Sequence, residues 1–91
     1  MSISIQLPSG RKVRSRDESA TYYVVLDDPT APPKVIRRTA SPSSARRALN
    51  EWPNAVVLRR RAREFVTVGA AYLADAVLVE KNAEANQLRI G

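Results

Sequence analysis

The sequence contains no cysteine and no histidine. Without these residues it can form no disulfide, no thiolate nucleophile and no Cys/His zinc site. Acidic residues are also few, which leaves general acid–base and nucleophilic catalysis with few candidates. Asp27 and Asp28 are adjacent carboxylates, but without further ligands such a pair is not expected to hold a metal ion. We therefore expect a protein that is not an enzyme and that uses neither a metal nor a cofactor.

Aromatic residues and long apolar runs are scarce as well. Five aromatic residues among 91 leave a core built mostly from Val, Leu, Ile and Ala. The longest weakly charged apolar stretch, residues 65–74, is too short to span a bilayer. The first five residues lack the basic-then-apolar order of a signal peptide. These features predict one small basic domain over residues 1–91 that is soluble, cytoplasmic and not bound to a membrane.

Negative charge is particularly sparse in the first two-thirds of the chain. Residues 1–63 hold thirteen basic and five acidic side chains, whereas residues 64–91 hold two basic and four acidic ones. Twelve of the fifteen basic residues are arginine, whose planar fork suits bidentate phosphate contacts. A GC-rich coding genome would explain the excess of arginine over lysine, but it explains the clustering less well. The concentration of charge points to an anion-binding surface formed by residues 1–63.

The apolar pattern predicts several strands and one helix. Alternating or β-branched stretches indicate strands, and Ser41 and Pro42 are typical of a helix start. Pro53 disfavours helical geometry at the residue before it, so the helix should end at Trp52. We expect the Trp52 ring to plug the end of the core. The strands are expected at residues 2–7, 11–16, 21–27, 34–39 and 55–68, and the helix at residues 42–52. This order favours an α+β fold with a small antiparallel sheet of four to five strands, covered on one face.

The C-terminal third is the most ambiguous part of the sequence. Leu73, Ala76, Val77 and Glu80 recur at helical spacing, which favours a helix through about residue 81. Residues 76–79 also fit a strand, with a turn at 82–86 leading into a hairpin. A thin core with an apolar C-terminal segment is often completed by self-association, so we also consider a homodimer.

The arginine run at residues 59–63 is the most distinctive stretch of the sequence. If the strand beginning at residue 55 continues through it, side chains alternate between faces, and Arg59, Arg61 and Arg63 project together while Arg60 lies opposite. Their spacing of roughly 7 Å approaches that of phosphates along a nucleic-acid strand. We predict this trio as the main contact with a polyanion.

Other residues could widen that surface. Arg11, Arg14, Arg37 and Arg38 lie on predicted strands, where they would contact further phosphates if the strands share one sheet. Tyr22 and Tyr23 point to opposite faces, and the outward one, taken to be Tyr23, could stack on a base. A second anion site could form at the free backbone N–H groups of the helix start, near Ser43 and Ser44, although ordinary capping by Ser41 is favoured there.

Two functions are consistent with these features. We favour a small nucleic-acid-binding protein that contacts the phosphate backbone of DNA or RNA without strong sequence specificity, because no helix carries a face suited to reading a groove. The alternative is a protein-interaction module, an adaptor or inhibitor, that docks its arginine-rich face on an acidic partner protein.

Overall fold

A computed structural model describes residues 2–16 and 20–90, with side chains described through residue 83. Most of the segment between the strands expected at residues 11–16 and 21–27 therefore lies outside the described residues. The described part of the chain forms six strands and two helices, which confirms the α+β fold. They are β1 (Ser2–Gln6), β2 (Lys12–Arg16), β3 (Tyr22–Leu26), β4 (Lys34–Thr39), α1 (Pro42–Glu51), β5 (Val56–Arg61), β6 (Glu64–Val68) and α2 (Ala70–Ile90).

The first two strands form a separate antiparallel hairpin. Pro8, Ser9 and Gly10 make its turn, in which the Gly10 backbone N–H donates to the Leu7 carbonyl over 2.9 Å. Gly10 has a φ of +90°, a conformation that a side chain would strain. The Leu7 N–H in turn donates to the Arg11 carbonyl over 2.8 Å, which leads directly into the strand ladder.

The remaining strands form a four-stranded antiparallel sheet in the order β4-β3-β5-β6. β3 occupies a central position in this sheet, because it pairs with both β4 and β5. β4 carries a register shift opposite Val24 and Val25, a bulge that is typical of edge strands. β6 forms the other edge of the sheet.

The prediction of one continuous strand over residues 55–68 is wrong. The chain reverses at Ala62 and Arg63, and β5 and β6 pair as a tight hairpin in which Arg61 is the register partner of Glu64. Ala62 adopts a φ of +55° to make this turn. Glycine or asparagine normally marks such a turn, and neither is present here.

Replacing Ala62 by glycine is expected to stabilise the protein. An alanine in the left-handed region costs roughly 1 kcal/mol because its Cβ approaches the carbonyl oxygen, and glycine removes that contact. Glycine also loses more chain entropy on folding than alanine, which offsets part of this gain. The net increase in the free energy of unfolding should therefore be about 0.5 kcal/mol. Urea denaturation measures it, and a loss of stability would contradict the conformation assigned to this turn.

Both faces of the four-stranded sheet are covered, so the expectation of one open face is wrong. Ile5, Leu7 and Val13 of the hairpin pack against Tyr23 and other residues on one face. Ala45 and Ala48 of α1 pack on the opposite face, together with Leu73 of α2. The molecule therefore has three layers: hairpin, sheet and helices.

α1 begins as the sequence predicts. The Ser41 hydroxyl accepts a hydrogen bond from the Ser44 backbone N–H, and Pro42 occupies the first turn. The helix ends at Glu51, followed by Trp52 in a non-helical conformation. The prediction that Trp52 plugs the core is wrong, because the residue is 47% exposed at the end of the helix.

The helical alternative for the C-terminal third is confirmed, and the helix extends beyond the predicted end, to Ile90. Leu73 and Val77, one turn apart, bury one side of α2. Its next turn leaves Leu78 and Val79 59% and 68% exposed. α2 therefore contributes to the core with one side and presents apolar side chains to solvent elsewhere.

Candidate nucleic-acid interface

The trio predicted at Arg59, Arg61 and Arg63 does not lie along one strand. Arg59 faces the helix layer, where its guanidinium lies 6.0 Å from the centre of the Tyr72 ring. Arg61, at the end of β5, is exposed, and Arg63 is exposed in the turn itself. The predicted alternation is wrong at Arg63 because the turn replaces the strand there. Arg60 lies on the hairpin face, and its backbone N–H donates to the Thr21 carbonyl over 2.7 Å.

Arg37 and Arg38 point to opposite faces of β4, and both are half-buried and make contacts inside the protein. Arg37 Nη1 donates to the Ser44 carbonyl of α1 over 3.2 Å. Arg38 Nη1 lies 3.5 Å from the Ser15 hydroxyl of β2. Each arginine therefore links the sheet to one of the layers that cover it, and the two do not share a surface.

Arg11 is bound within the protein as well. Its Nη1 lies 3.1 Å from Asp27 Oδ1 and donates to the Asp28 carbonyl over 2.7 Å, while Nη2 donates to the Ala31 carbonyl. The Asp27 side chain is only 7% exposed and also accepts from the Ser9 hydroxyl over 2.5 Å. Arg11 therefore fastens the proline-rich loop after β3 to the turn of the hairpin.

The same loop is ordered by Asp28. Its carboxylate accepts from the Thr30 backbone N–H over 2.9 Å and from the Thr30 hydroxyl over 2.8 Å. These two hydrogen bonds hold the pKa of Asp28 below its ordinary value. Both carboxylates of the adjacent pair therefore take part in loop structure.

Replacing Arg11 by alanine is expected to lower the free energy of unfolding by about 2 kcal/mol. The change leaves the Asp27 carboxylate without its cation and releases two loop carbonyls. Arg14→Ala is a matched control from the adjoining strand. Arg14 is exposed, so this change should cost less than about 0.5 kcal/mol. Equal urea midpoints for the two variants would contradict a fastening role for Arg11.

Tyr23 cannot stack on a base in this fold. Its side chain is fully buried between the hairpin and the sheet, and its ring meets Phe65 edge to face, with 5.5 Å between the ring centres. Tyr22, on the other face, is buried beneath the helices. Burial, with Tyr72 close by, raises the pKa of the Tyr22 hydroxyl. The prediction that Tyr23 faces outward is wrong, because the sheet is covered on both sides.

The anion site considered at the start of α1 holds a carboxylate of the protein itself. Glu80 of α2 lies against this helix end, with one oxygen 3.4 Å from the Ser41 hydroxyl and the other 3.2 Å from the Ser43 hydroxyl. A negative charge at this position is favoured by the helix dipole. The helix start therefore contributes to the contact between α1 and α2.

The outward side of the β1–β2 hairpin has the geometry that the sequence suggested for the arginine run. Val13 and Ser15 face the sheet and are buried, whereas Lys12, Arg14 and Arg16 face outward and are exposed. Alternate residues of a strand lie about 6.8 Å apart, so the three cations extend over roughly 14 Å. The ion pair that the structure records joins Arg11 and Asp27, and within residues 2–16 and 20–83 no acidic side chain pairs with any of these three cations.

The neighbouring strand adds only small or neutral polar side chains to this face. Ser2, Ser4 and Gln6 of β1 are exposed, and they pair in register with Arg16, Arg14 and Lys12 respectively. We name this six-residue surface the ribbon face. Of the residues predicted as contacts, Arg14 alone belongs to the ribbon face, and it lies at the centre of that face. Lys12 and Arg16 also belong to the ribbon face but were not among the predicted contacts.

No protein-family model, curated protein or solved structure matches this chain. Within the described residues, neither helix combines the length and the apolar composition needed to cross a membrane. We therefore infer the function from the geometry of the ribbon face.

Proposed function

We propose that this protein binds nucleic acid, and that the ribbon face contacts the phosphate backbone. The observation that carries the proposal is the row of Lys12, Arg14 and Arg16, all exposed on one face without an acidic partner among the described residues. Cations at this spacing can neutralise successive phosphates and release their counterions. The proposal includes a cytoplasmic location, which the lack of cysteine favours.

The turn between β5 and β6 would extend this surface at one end. The Arg60 N–H donates to the Thr21 carbonyl, so the turn lies beside the start of β3. β2 ends only a few residues before β3 begins in the sequence. Ser15, near the end of β2, contacts Arg38, which pairs in register with Tyr23 near the start of β3. Arg16 and Arg63 therefore lie toward the same end of the molecule, where Arg63 would bind a phosphate beyond the ribbon face. Arg61 lies on the helix side of β5, in one groove with Arg59 and Tyr72.

A salt titration tests the proposal. The affinity for random-sequence DNA and RNA should fall steeply as salt rises, with a slope of about −0.9 per neutralised phosphate on a log–log plot for duplex DNA. Three to four contacts predict a slope between about −2.7 and −3.6. A slope near zero, or no binding at about 50 mM salt, would leave docking on an acidic protein as the better explanation of the charge.

A homodimer is a second proposal, supported by the unpaired edge of β6. The opposite edge, β4, is protected by its bulge and by Arg37 and Arg38, as exposed edges usually are. β6 has no bulge in its pairing with β5, and Val66 at its centre is 45% exposed. Antiparallel pairing of β6 with a second copy would place Val66 against itself and join the two sheets.

Sedimentation at increasing protein concentration tests this interface. Val66→Lys should shift the protein to the monomer, because it places a charge at the centre of the paired edge. Leu78→Lys is the matched control, since it changes an equally apolar, exposed residue of α2 that the β6 pairing does not use. A monomer at all concentrations, or equal effects of the two variants, would argue against this dimer.

A further inference from the structure

The ribbon face differs in composition from a general phosphate-binding surface. Every one of its six side chains is polar and can donate a hydrogen bond: two serines, one glutamine, one lysine and two arginines. Each cross-strand pair joins one cation to one neutral group, as in Ser4 opposite Arg14. Arginine, lysine, glutamine and serine are all among the side chains that pair with base edges in the major groove.

The shape of the hairpin also fits that groove. The major groove of B-form DNA is about 12 Å wide and admits a two-stranded β-ribbon, whose strands lie about 4.8 Å apart. The hairpin packs on the sheet as a layer of its own. Stacked sheets lie about 10 Å apart, which exceeds the groove depth of about 8.5 Å, so the ribbon can enter before the sheet meets the DNA backbone.

The ribbon face lacks the groups that single strands require. Binding of unpaired bases depends on aromatic stacking. Tyr22 and Tyr23 are buried, Phe65 packs under the hairpin, and Trp52 and Tyr72 belong to the helical side of the molecule. Double-stranded RNA is also unfavourable, because its major groove is too narrow for side chains to read.

We propose that the β1–β2 hairpin enters the major groove of duplex DNA and reads base edges, with Arg14 at the centre of the contact. This inference depends on the proposed nucleic-acid binding and narrows its ligand to B-form DNA. A ribbon of five residues per strand covers about 14 Å, or roughly four base pairs at the 3.4 Å rise of B-form DNA. Arg14 faces a guanine, whose O6 and N7 accept both ends of a guanidinium.

The first test compares three labelled ligands of one sequence at one salt concentration: a DNA duplex, an RNA duplex and single-stranded DNA. We expect the DNA duplex to bind at least about 10-fold more tightly than either of the others, the difference expected for one or more base-edge contacts. Equal affinity for the DNA and RNA duplexes, or tighter binding of the single strand, would overturn the inference while leaving nucleic-acid binding intact. Tighter binding of polyglutamate than of any nucleic acid would overturn both proposals.

The second test selects preferred sites from a pool of random DNA duplexes. The wild type should enrich a site of about four base pairs that contains guanine. Arg14→Gln should lose about 5- to 150-fold in preference at one position of that site. Arg63→Gln, a turn residue outside the ribbon face, should weaken binding to all sequences equally. Recovery of random sequences by the wild type, or equal behaviour of the two variants, would show that the hairpin contacts phosphates only.

Discussion

A variant with Lys12, Arg14 and Arg16 all replaced by glutamine is expected to bind duplex DNA about 500-fold more weakly than the wild type at 0.1 M salt. Lys12 and Arg16 each contribute a factor of about 8 at this concentration through phosphate contacts, because affinity scales with salt to a power of about −0.9 per contact, and Arg14 contributes a factor of about the same size through its base-edge contact. The slope of the log–log plot should also become less steep by about 1.8, the contribution of the two phosphate contacts. Fluorescence anisotropy over a salt series measures both quantities.

The chain offers a charge-matched control for this variant. Arg46, Arg47 and Lys81 are exposed and line one groove between α1 and α2, on the other side of the sheet from the hairpin. Replacing these three by glutamine removes the same net charge, so any general effect of charge appears in both variants. We expect the control to bind within about 3-fold of the wild type, because distant charges are screened beyond roughly 10 Å at 0.1 M salt.

Replacing Arg59, Arg61 and Arg63 separates the two locations considered for the site. Arg63 is exposed near the end of the ribbon face, whereas Arg59 and Arg61 lie on the helix side of β5, with Arg59 against Tyr72. Loss of this trio should therefore cost less affinity than loss of the β2 trio. A larger loss of affinity than in the β2 variant would show that the β5–β6 hairpin makes the main contact with DNA.

The secondary structure could be predicted largely from local patterns. The alternation of Val13 and Ser15 with charged residues predicts β2, and Ser41 followed by Pro42 predicts the start of α1. The arginine trio was misplaced because the turn at Ala62 has no local signal. Ala62 adopts a positive φ, yet neither glycine nor asparagine is present to indicate it.

The roles of single arginines depend on contacts that sequence does not reveal. Arg11 binds residues 16 to 20 positions further along the chain. The helix start at Ser41 and Ser43 meets a carboxylate 37 to 39 positions away, because α2 packs against α1. Composition indicates that a basic surface exists, but only the layer arrangement distinguishes the arginines that hold the layers together from those that face outward.

Replacing Tyr23 by alanine should have the largest effect on stability. Tyr23 is fully buried on the central strand, where the hairpin covers the sheet. Loss of a buried aromatic ring costs about 3 to 5 kcal/mol through lost burial and the cavity left behind. The whole free energy of unfolding of a small domain is only about 5 to 15 kcal/mol. We therefore expect Tyr23→Ala to be largely unfolded even without urea. Its urea transition should be shallow and its near-ultraviolet circular dichroism weak.

Tyr23→Phe should act in the opposite direction. The Tyr23 hydroxyl is buried and has no hydrogen-bond partner among the described residues. A buried polar group without a partner costs about 1 to 3 kcal/mol, so removing the hydroxyl while keeping the ring should raise the free energy of unfolding by about 1 kcal/mol. A loss of stability in Tyr23→Phe would show that the hydroxyl has a partner in solution.

The Tyr23 pair also separates folding from binding. Tyr23→Phe leaves the hairpin supported by the same ring, so its affinity for DNA should equal that of the wild type. Tyr23→Ala removes the support beneath Val13 and Ile5, and binding should fall in proportion to the unfolded fraction. One outcome would exclude groove reading by a rigid ribbon: Tyr23→Ala lacks an ordered hairpin in its folded fraction but binds DNA with the affinity of the wild type. The cations of β2 would then act as an unstructured basic segment.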